Sequence, residues 1–361
     1  MTELQQKPYR VLTIDGGGMR GLYSATVLDT LSRRFACQTD SELLDVGKGF
    51  DLIVGTSTGG ILACALAAGV KTTEIINLYR KEGPKIFQDP ITDKWKRWAW
   101  RNRKTPANSS NHLQTVLKEH FQDMTLQEVY QKRGVGLCIP AVNASTHKPW
   151  VFKTPHDPEK QRDNKFKLVD VCLATSAAPM VFPLAAIQDP DDKENHHVFV
   201  DGGLWANNPI LVGMTEALNM TKKTRQPIEI ISLGNCSPPE GETLSKHDVN
   251  WGLSQWKAGI HSLSMALDSQ AAGYHFIADM LAASLSRKCS IYRLPITPPS
   301  PKAGPLTLDC ADQTAITALT TLGKHDGDLC YGKALRRGEL GGLVDIFSSM
   351  PPHHENISTH N

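Results

Sequence analysis

The feature that most restricts the fold is a unit that occurs twice near the N-terminus: an apolar run, a glycine-rich turn, then apolar residues at helical spacing. The first copy is Tyr9–Ile14, then Asp15-Gly16-Gly17-Gly18-Met19-Arg20-Gly21, then Tyr23, Val27, Leu28, Leu31 and Phe35. The second is Phe50–Val54, then Gly55-Thr56-Ser57-Thr58-Gly59-Gly60, then Ile61–Ala68. Near-continuous apolar strands alternating with helices are the pattern of a parallel sheet covered on both faces. Further strands are expected at 136–142, 197–200, 228–233 and 289–294. The predicted fold class is therefore α/β: a mostly parallel central sheet with helices on both faces, in three layers.

Trp256, Ile260, Leu263 and Leu267 predict a helix over about 250–286, and Asp312–Leu322 a final one. The Pro-rich stretch Leu294–Pro305 reads as a surface connection. With no internal repeat and no clean linker, one domain is expected over 9–346. An extension at 1–8 precedes it, and a polar tail at 347–361 follows, frayed from Pro351. One segment interrupts the pattern. Residues 94–104 hold six basic side chains, Trp95, Trp98 and Trp100, and no acid, and read as an insertion at about 90–110.

Charge and composition exclude several classes of function. Lys plus Arg number 39 against 37 Asp plus Glu, a formal charge of +2, so the chain is not a coat for a nucleic acid polymer. Eight cysteines, Cys37, Cys64, Cys138, Cys172, Cys236, Cys289, Cys310 and Cys330, lack CxxC pairs and read as buried thiols in a reducing compartment. No His-x-Glu or paired-carboxylate array has ligand spacing, so no metal is expected. Met1–Lys7 carries no export signal, and the longest apolar run, Ile61–Val70, is too short to span a bilayer. A cytoplasmic protein with peripheral membrane contact is expected. Nothing in the sequence sets an oligomeric state.

Three segments could assemble a hydrolytic site. In Gly55-Thr56-Ser57-Thr58-Gly59, the serine falls between a strand and a helix, where a sharp turn exposes Oγ. Asp15–Gly21 offers backbone donors, and Asp201-Gly202-Gly203 places a carboxylate at a strand end. Of the histidines, His112, His120, His147, His156, His196, His197, His247, His261, His275 and His325 all lack the strand-end glycine setting that Asp201 has. A competing expectation comes from Gly16, Gly18 and Gly21. They match G-x-G-x-x-G, with Asp40, Glu42 and Asp45 downstream as ribose-binding acids, and would make a non-catalytic dinucleotide- or phosphate-binding regulatory module. Against it, Asp15 would set a carboxylate beside the pyrophosphate.

These residues resemble the patatin-like phospholipases. Asp15–Gly21 matches the family's oxyanion loop and Gly55–Gly59 its nucleophile elbow. Ala174-Thr-Ser-Ala-Ala-Pro-Met-Val-Phe-Pro183 matches a signature, Asp201-Gly-Gly-Leu-Trp-Ala-Asn-Asn-Pro209 the aspartate segment, and Ile231-Ser-Leu-Gly234 a later strand end. The likeness covers about residues 9 to 234, with an echo at Leu308–Gly323. It implies a patatin-like three-layer fold and a Ser57–Asp201 dyad cleaving fatty acyl esters of phospholipids. Gly16, Gly17 and Gly18 would hold the oxyanion, and Asp15, Arg20, Gly55, Gly59, Gly202 and Gly203 would support the site. Arg20 would brace its loop or meet a phosphate, and Met180–Leu184 would line an acyl channel. No cofactor is needed for that chemistry. The basic Trp segment has the chemistry of an anchor on anionic lipid. Compact relatives serve bacterial anti-phage defence, in which a cyclic nucleotide switches on lipid degradation; a cyclic dinucleotide activator is the corresponding expectation here. An unregulated housekeeping lipase is the alternative.

Overall fold

The computed structural model describes residues 6–38, 41–91, 94–236, 244–246, 249–295 and 307–353. Its strands are β1 Tyr9–Ile14, β2 Leu52–Gly55, β3 Gly136–Asn143, β4 Lys148–Lys153, β5 Ala185–Gln188, β6 His196–Asp201, β7 Ile228–Leu233 and β8 Cys289–Leu294. The helices are α1 Gly21–Ala36, α2 Thr58–Ala68, α3 Thr72–Ile86, α4 Trp95–Arg101, α5 Asn111–Phe121, α6 Leu126–Arg133, α7 Leu168–Thr175, α8 Gly203–Ala206, α9 Ile210–Met220, α10 Ile260–Ser284, α11 Gln313–Leu335 and α12 Gly342–Ser348.

Paired strands follow the order β5-β6-β3-β2-β1-β7-β8, with β4 also on β3. The half built from β3, β2, β1, β7 and β8 is parallel, and β4, β5 and β6 join it antiparallel. Alternation buries both faces. Leu12, Ile14, Ile53, Ile231 and Leu233 enter the core under α1, α2 and α11, whereas Val11, Leu52, Val54, Ile228 and Ile230 face α9 and α10. The expected mostly parallel, three-layer α/β fold is what forms.

The register around β3 sets up everything that follows. β4 takes one edge of β3 from Cys138 to Asn143, so β2 and β6 must share the other. Along it, β2 runs parallel, pairing Leu52–Val54 with Gly136–Cys138, and β6 runs antiparallel, pairing Phe199–Asp201 with Asn143–Ala141. The two strands approach head-on and both must leave the sheet where they meet. β2 leaves through Gly55–Ser57 and β6 through Asp201–Gly203.

Several elements differ from their sequence expectation. β4 (Lys-Pro-Trp-Val-Phe-Lys) and the four-residue β5 are too short and too polar at their ends to register as apolar runs. α10 begins only at Ile260, because Lys257, Ala258 and Gly259 are left-handed and interrupt the pattern. α11 continues thirteen residues past Leu322. Gly323 and Gly327 let α11 approach α1: a Cβ at either would sit 2.7 Å or less from Thr26 or Thr30. The boundary at 346 falls inside α12. Far from fraying, Pro351 and His353 hydrogen-bond to the backbone at Asp45 and Leu43. The eight thiols are not all buried: Cys37 is exposed and Cys289 and Cys310 are half-buried. The N-terminal extension to Gln5, most of the Pro-rich stretch, Asp40, His247 and the tail from 354 lie outside the described residues.

The basic Trp segment is the docked helix α4 rather than a free loop. Trp98 is buried with its indole N–H donating to Asp89 O at 3.1 Å, and Arg101 pairs with the Asp89 carboxylate. Trp100 remains exposed.

Candidate active site

Where β2 and β6 meet, Ser57 Oγ donates to Asp201 Oδ2 at 2.7 Å. Ser57 carries φ 56° and ψ −128°, a strained left-side conformation for a residue with a Cβ, and begins α2. Gly55 makes the turn sterically accessible, since a Cβ there would lie 2.1 Å from Gly59 O. Thr175, at the end of α7, fastens the turn: its Oγ1 accepts from Ser57 N at 2.9 Å and donates to Pro140 O at 2.6 Å. The same threonine's carbonyl accepts from Gly202 N, and Ala177 O from Asp201 N. One side chain and its neighbour thus hold both strand exits.

Asp201 is buried and accepts a second bond, from Gly203 N at 2.6 Å. Burial raises its carboxyl to about 6, against the opposing pull of the Ser57 and Gly203 hydrogen bonds. An aspartate with that pKa is ionised at neutral pH yet more basic than a solvated one. Among the described residues no histidine hydrogen-bonds Ser57 or Asp201. The pair can take a proton from the serine without an imidazole between.

The glycine loop after β1 wraps against this pair. Gly16 N donates to Asn207 O at 2.9 Å and Gly16 O accepts from the Asn235 amide, so the Gly16 amide is not free for an oxyanion. Gly17 and Gly18 line the cavity with Ser57 and Thr58, and their N–H groups have no acceptor among the described residues. Gly18 is left-handed, φ 54°, with Leu308 O where a Cβ would project. Gly59 backs onto the end of β1 and Gly202 onto Pro140.

Two arginines treat this loop differently. Asp15 is buried and held by Arg293 of β8, Nη1–Oδ1 3.0 Å and Nη2–Oδ2 2.5 Å; Arg293 also donates to Ser232 Oγ. The Asp15 charge therefore faces a fixed cation and not a ligand phosphate. Arg20 is 5% exposed and lines the cavity, its Nε without a partner. Burial lowers its pKa, and Asp268, Cys236 and Asp15 oppose that shift. Of the acids of the dinucleotide reading, Asp45 is engaged by Arg133 through both oxygens.

From the dyad a cavity of about 760 Å³ runs between α2, α3 and α5. Its walls include Ile61, Ala65, Leu78, Phe87, Leu117 and Phe182, a lining suited to an acyl chain. Of the expected channel segment, Val181 and Phe182 reach it, whereas Met180 and Leu184 are exposed. Tyr79 of α3 spans cavity and elbow, its hydroxyl donating to Thr58 O at 3.2 Å. Sequence spacing gave no hint of Thr175, Asn207, Asn235 or Arg293 in these roles. Only the paired asparagines inside Asp201–Pro209 carried any signal.

One group of metal-ligand type exists that spacing did not reveal. Cys138, His156 and Glu216 are buried, with their ligand atoms all within 4.8 Å of one another, on β3, beyond β4 and on α9. Burial would raise the Glu216 carboxyl, but hydrogen bonds from His156 and Lys153 outweigh it and hold it at about 2. Its charge is thus already balanced by protein.

Comparison with known proteins agrees with this geometry. The profile of the patatin-like phospholipase family matches residues 12–214. The chain is 34% identical over 268 residues to a cGAMP-activated phospholipase of Pseudomonas aeruginosa, covering 74% of each chain. It is 32% identical over 333 residues to one of Vibrio cholerae, covering 88% of this chain and 89% of that one, and 30% identical over 337 residues to one of Escherichia coli, covering 88% of each. The chain belongs to the patatin-like phospholipase family and is a lipid ester hydrolase. Among the described residues no helix is long and apolar enough to cross a membrane.

Two outcomes follow from the buried charges. Because the folded-state pKa of Asp201 lies above the roughly 3.9 of an unfolded aspartate, its ionisation weakens the fold as pH rises from about 4 through about 6. Asp201→Asn should accordingly stabilise the protein at pH 7, by about 1–3 kcal/mol in urea denaturation, and the gain should vanish near pH 4. Arg293→Lys keeps the charge but loses the two-pronged fit to Asp15. Steady-state kinetics should show kcat for ester hydrolysis lowered about tenfold or more with KM within about twofold.

Proposed function

We propose that Ser57 is the nucleophile and Asp201 the general base of a phospholipase that cleaves the fatty acyl esters of membrane phospholipids. The observation that carries this reading is the 2.7 Å Ser57–Asp201 hydrogen bond at a strained turn opening on an apolar cavity. Asp201 takes the hydroxyl proton as Ser57 Oγ attacks the ester carbonyl. The tetrahedral oxyanion is held by the Gly17 and Gly18 amides, with Thr58 N–H at the start of α2. Collapse expels the lysolipid alcohol, which takes the proton back, and water activated by Asp201 then releases the fatty acid. Arg20, buried at the cavity wall without a partner for Nε, meets the lipid phosphate. No metal or cofactor is called on.

The regulatory part of the proposal is that a cyclic dinucleotide of the cGAMP type switches the enzyme on. Its support is that the three bacterial relatives, similar over most of both chains, are cGAMP-activated phospholipases. Peripheral contact with the bilayer completes the reading.

With purified protein and phosphatidylglycerol vesicles, fatty-acid release should rise at least about tenfold on adding cGAMP. Ser57→Ala should abolish it while leaving the fold intact, and residual turnover above about 1% of wild type would remove Ser57 from the chemistry. kcat/KM should climb with pH through about 6 and then level, because the free enzyme's base must be ionised to accept a proton.

A further inference from the structure

α10 is a 25-residue helix with two unlike faces. Its inner face does structural and catalytic duty: Ile260, Leu263 and Leu267 line the cavity, and Tyr274, Ala278 and Ala282 pack against the sheet. On the outer face, Met265 is 45% exposed, Phe276 66% and Met280 56%, with Ile277 and Leu281 at 43% beside them. Residues 272, 276, 280 and 283 fall along one helical line with Ile277 and Leu281 beside it, so the C-terminal half of the helix carries an apolar stripe, from which Ser269 separates Met265. From Ile260 to Ser284 there is no lysine or arginine. Scattered exposed apolar residues are ordinary on a protein surface, but Phe276, Ile277, Met280 and Leu281 side by side on one helix mark an interaction surface.

Two observations say what covers it. The stripe lies on the helix that walls the catalytic cavity. Leu204 of α8, 43% exposed and packed beside α10, also lines that cavity and carries the exposed apolar surface to its wall. A long-chain lipid that leaves a bilayer for this cavity avoids water only if apolar protein surface adjoins the opening. We propose that the outer face of α10 is the bilayer-docking surface of the enzyme, seated at the boundary of head groups and acyl chains, with α8 at its rim. The proposal rests on the phospholipase reading and names the surface through which that site meets its substrate. Since α10 contributes apolar area, no cations and two acids, Asp268 and Asp279, docking through it needs no anionic lipid. In this it differs from an anchor made by the basic residues of α4, which would need anionic lipid.

The test uses the full chain bearing Phe276→Ser and Met280→Ser together, two exposed positions away from the cavity lining, on a Ser57→Ala background so that lipid is not consumed. Flotation with phosphatidylcholine vesicles, with and without cGAMP, should show binding weakened at least about tenfold relative to Ser57→Ala alone. In the catalytically intact background, turnover of a water-soluble short-chain ester should stay within about twofold, which also reports folding. Unchanged flotation would overturn the proposal. So would parallel loss of soluble-ester turnover, which would make the stripe structural, or a wild-type dimer that the double variant converts to monomer in light scattering, which would make it a subunit interface. A wild-type enzyme that hydrolyses no ester under any condition would instead contradict the phospholipase reading, and flotation would still decide the docking surface.

Discussion

The structure depends on a collision. Because β4 occupies one edge of β3, β2 and β6 must run toward each other along the other edge, and neither can continue past Pro140. Each is forced out of the sheet at the same place. A serine at the first exit and an aspartate at the second therefore meet without any side chain having to reach, and the 2.7 Å contact is a property of strand register before it is one of side-chain choice. Thr175 converts that register into a fixed geometry by bonding Ser57, Pro140 and Gly202 together.

The cost of the arrangement is concentrated at two residues. Ser57 is held at positive φ, and Asp201 is buried with its pKa raised by loss of solvent. Both are features that a fold selected for stability alone would shed, and both suit the proposed serine–aspartate chemistry: an Oγ presented on a sharp turn and a base stronger than a solvated carboxylate. The Asp15–Arg293 pair works in the opposite sense. It fixes the glycine loop from the far strand β8 and neutralises the Asp15 charge, which would otherwise oppose the oxyanion proposed to sit against the Gly17 and Gly18 amides.

The sequence disclosed those parts of the site that are local in the chain. Ser57 within Gly55–Gly59, Asp201 before Gly202-Gly203 and the glycine run after Asp15 are read directly, because a tight turn leaves its signature in adjacent residues. What stayed hidden is non-local. Arg293 lies 278 positions from Asp15, and no spacing rule connects them. The engagement of the Gly16 amide depends on Asn207 and that of its carbonyl on Asn235, which only the folded chain brings to its two sides. The same holds for the fold. Long apolar strands announced themselves, whereas β4 and β5, whose pairing makes the sheet mixed, carried too little alternation to be seen. The periodicity of Ile260, Leu263 and Leu267 disclosed the cavity face of α10, whereas its outward apolar face at Phe276 and Met280 was not read.

The proposed chemistry requires Ser57 to be a nucleophile that Asp201 activates. The most direct test is intact-protein and peptide mass spectrometry after incubation with an alkyl fluorophosphonate, in wild type and in Asp201→Asn. The account predicts one adduct, on the peptide containing Ser57, and labelling in Asp201→Asn slowed at least about a hundredfold. An adduct on another residue, or labelling of Ser57 at the wild-type rate without the Asp201 carboxylate, would contradict it.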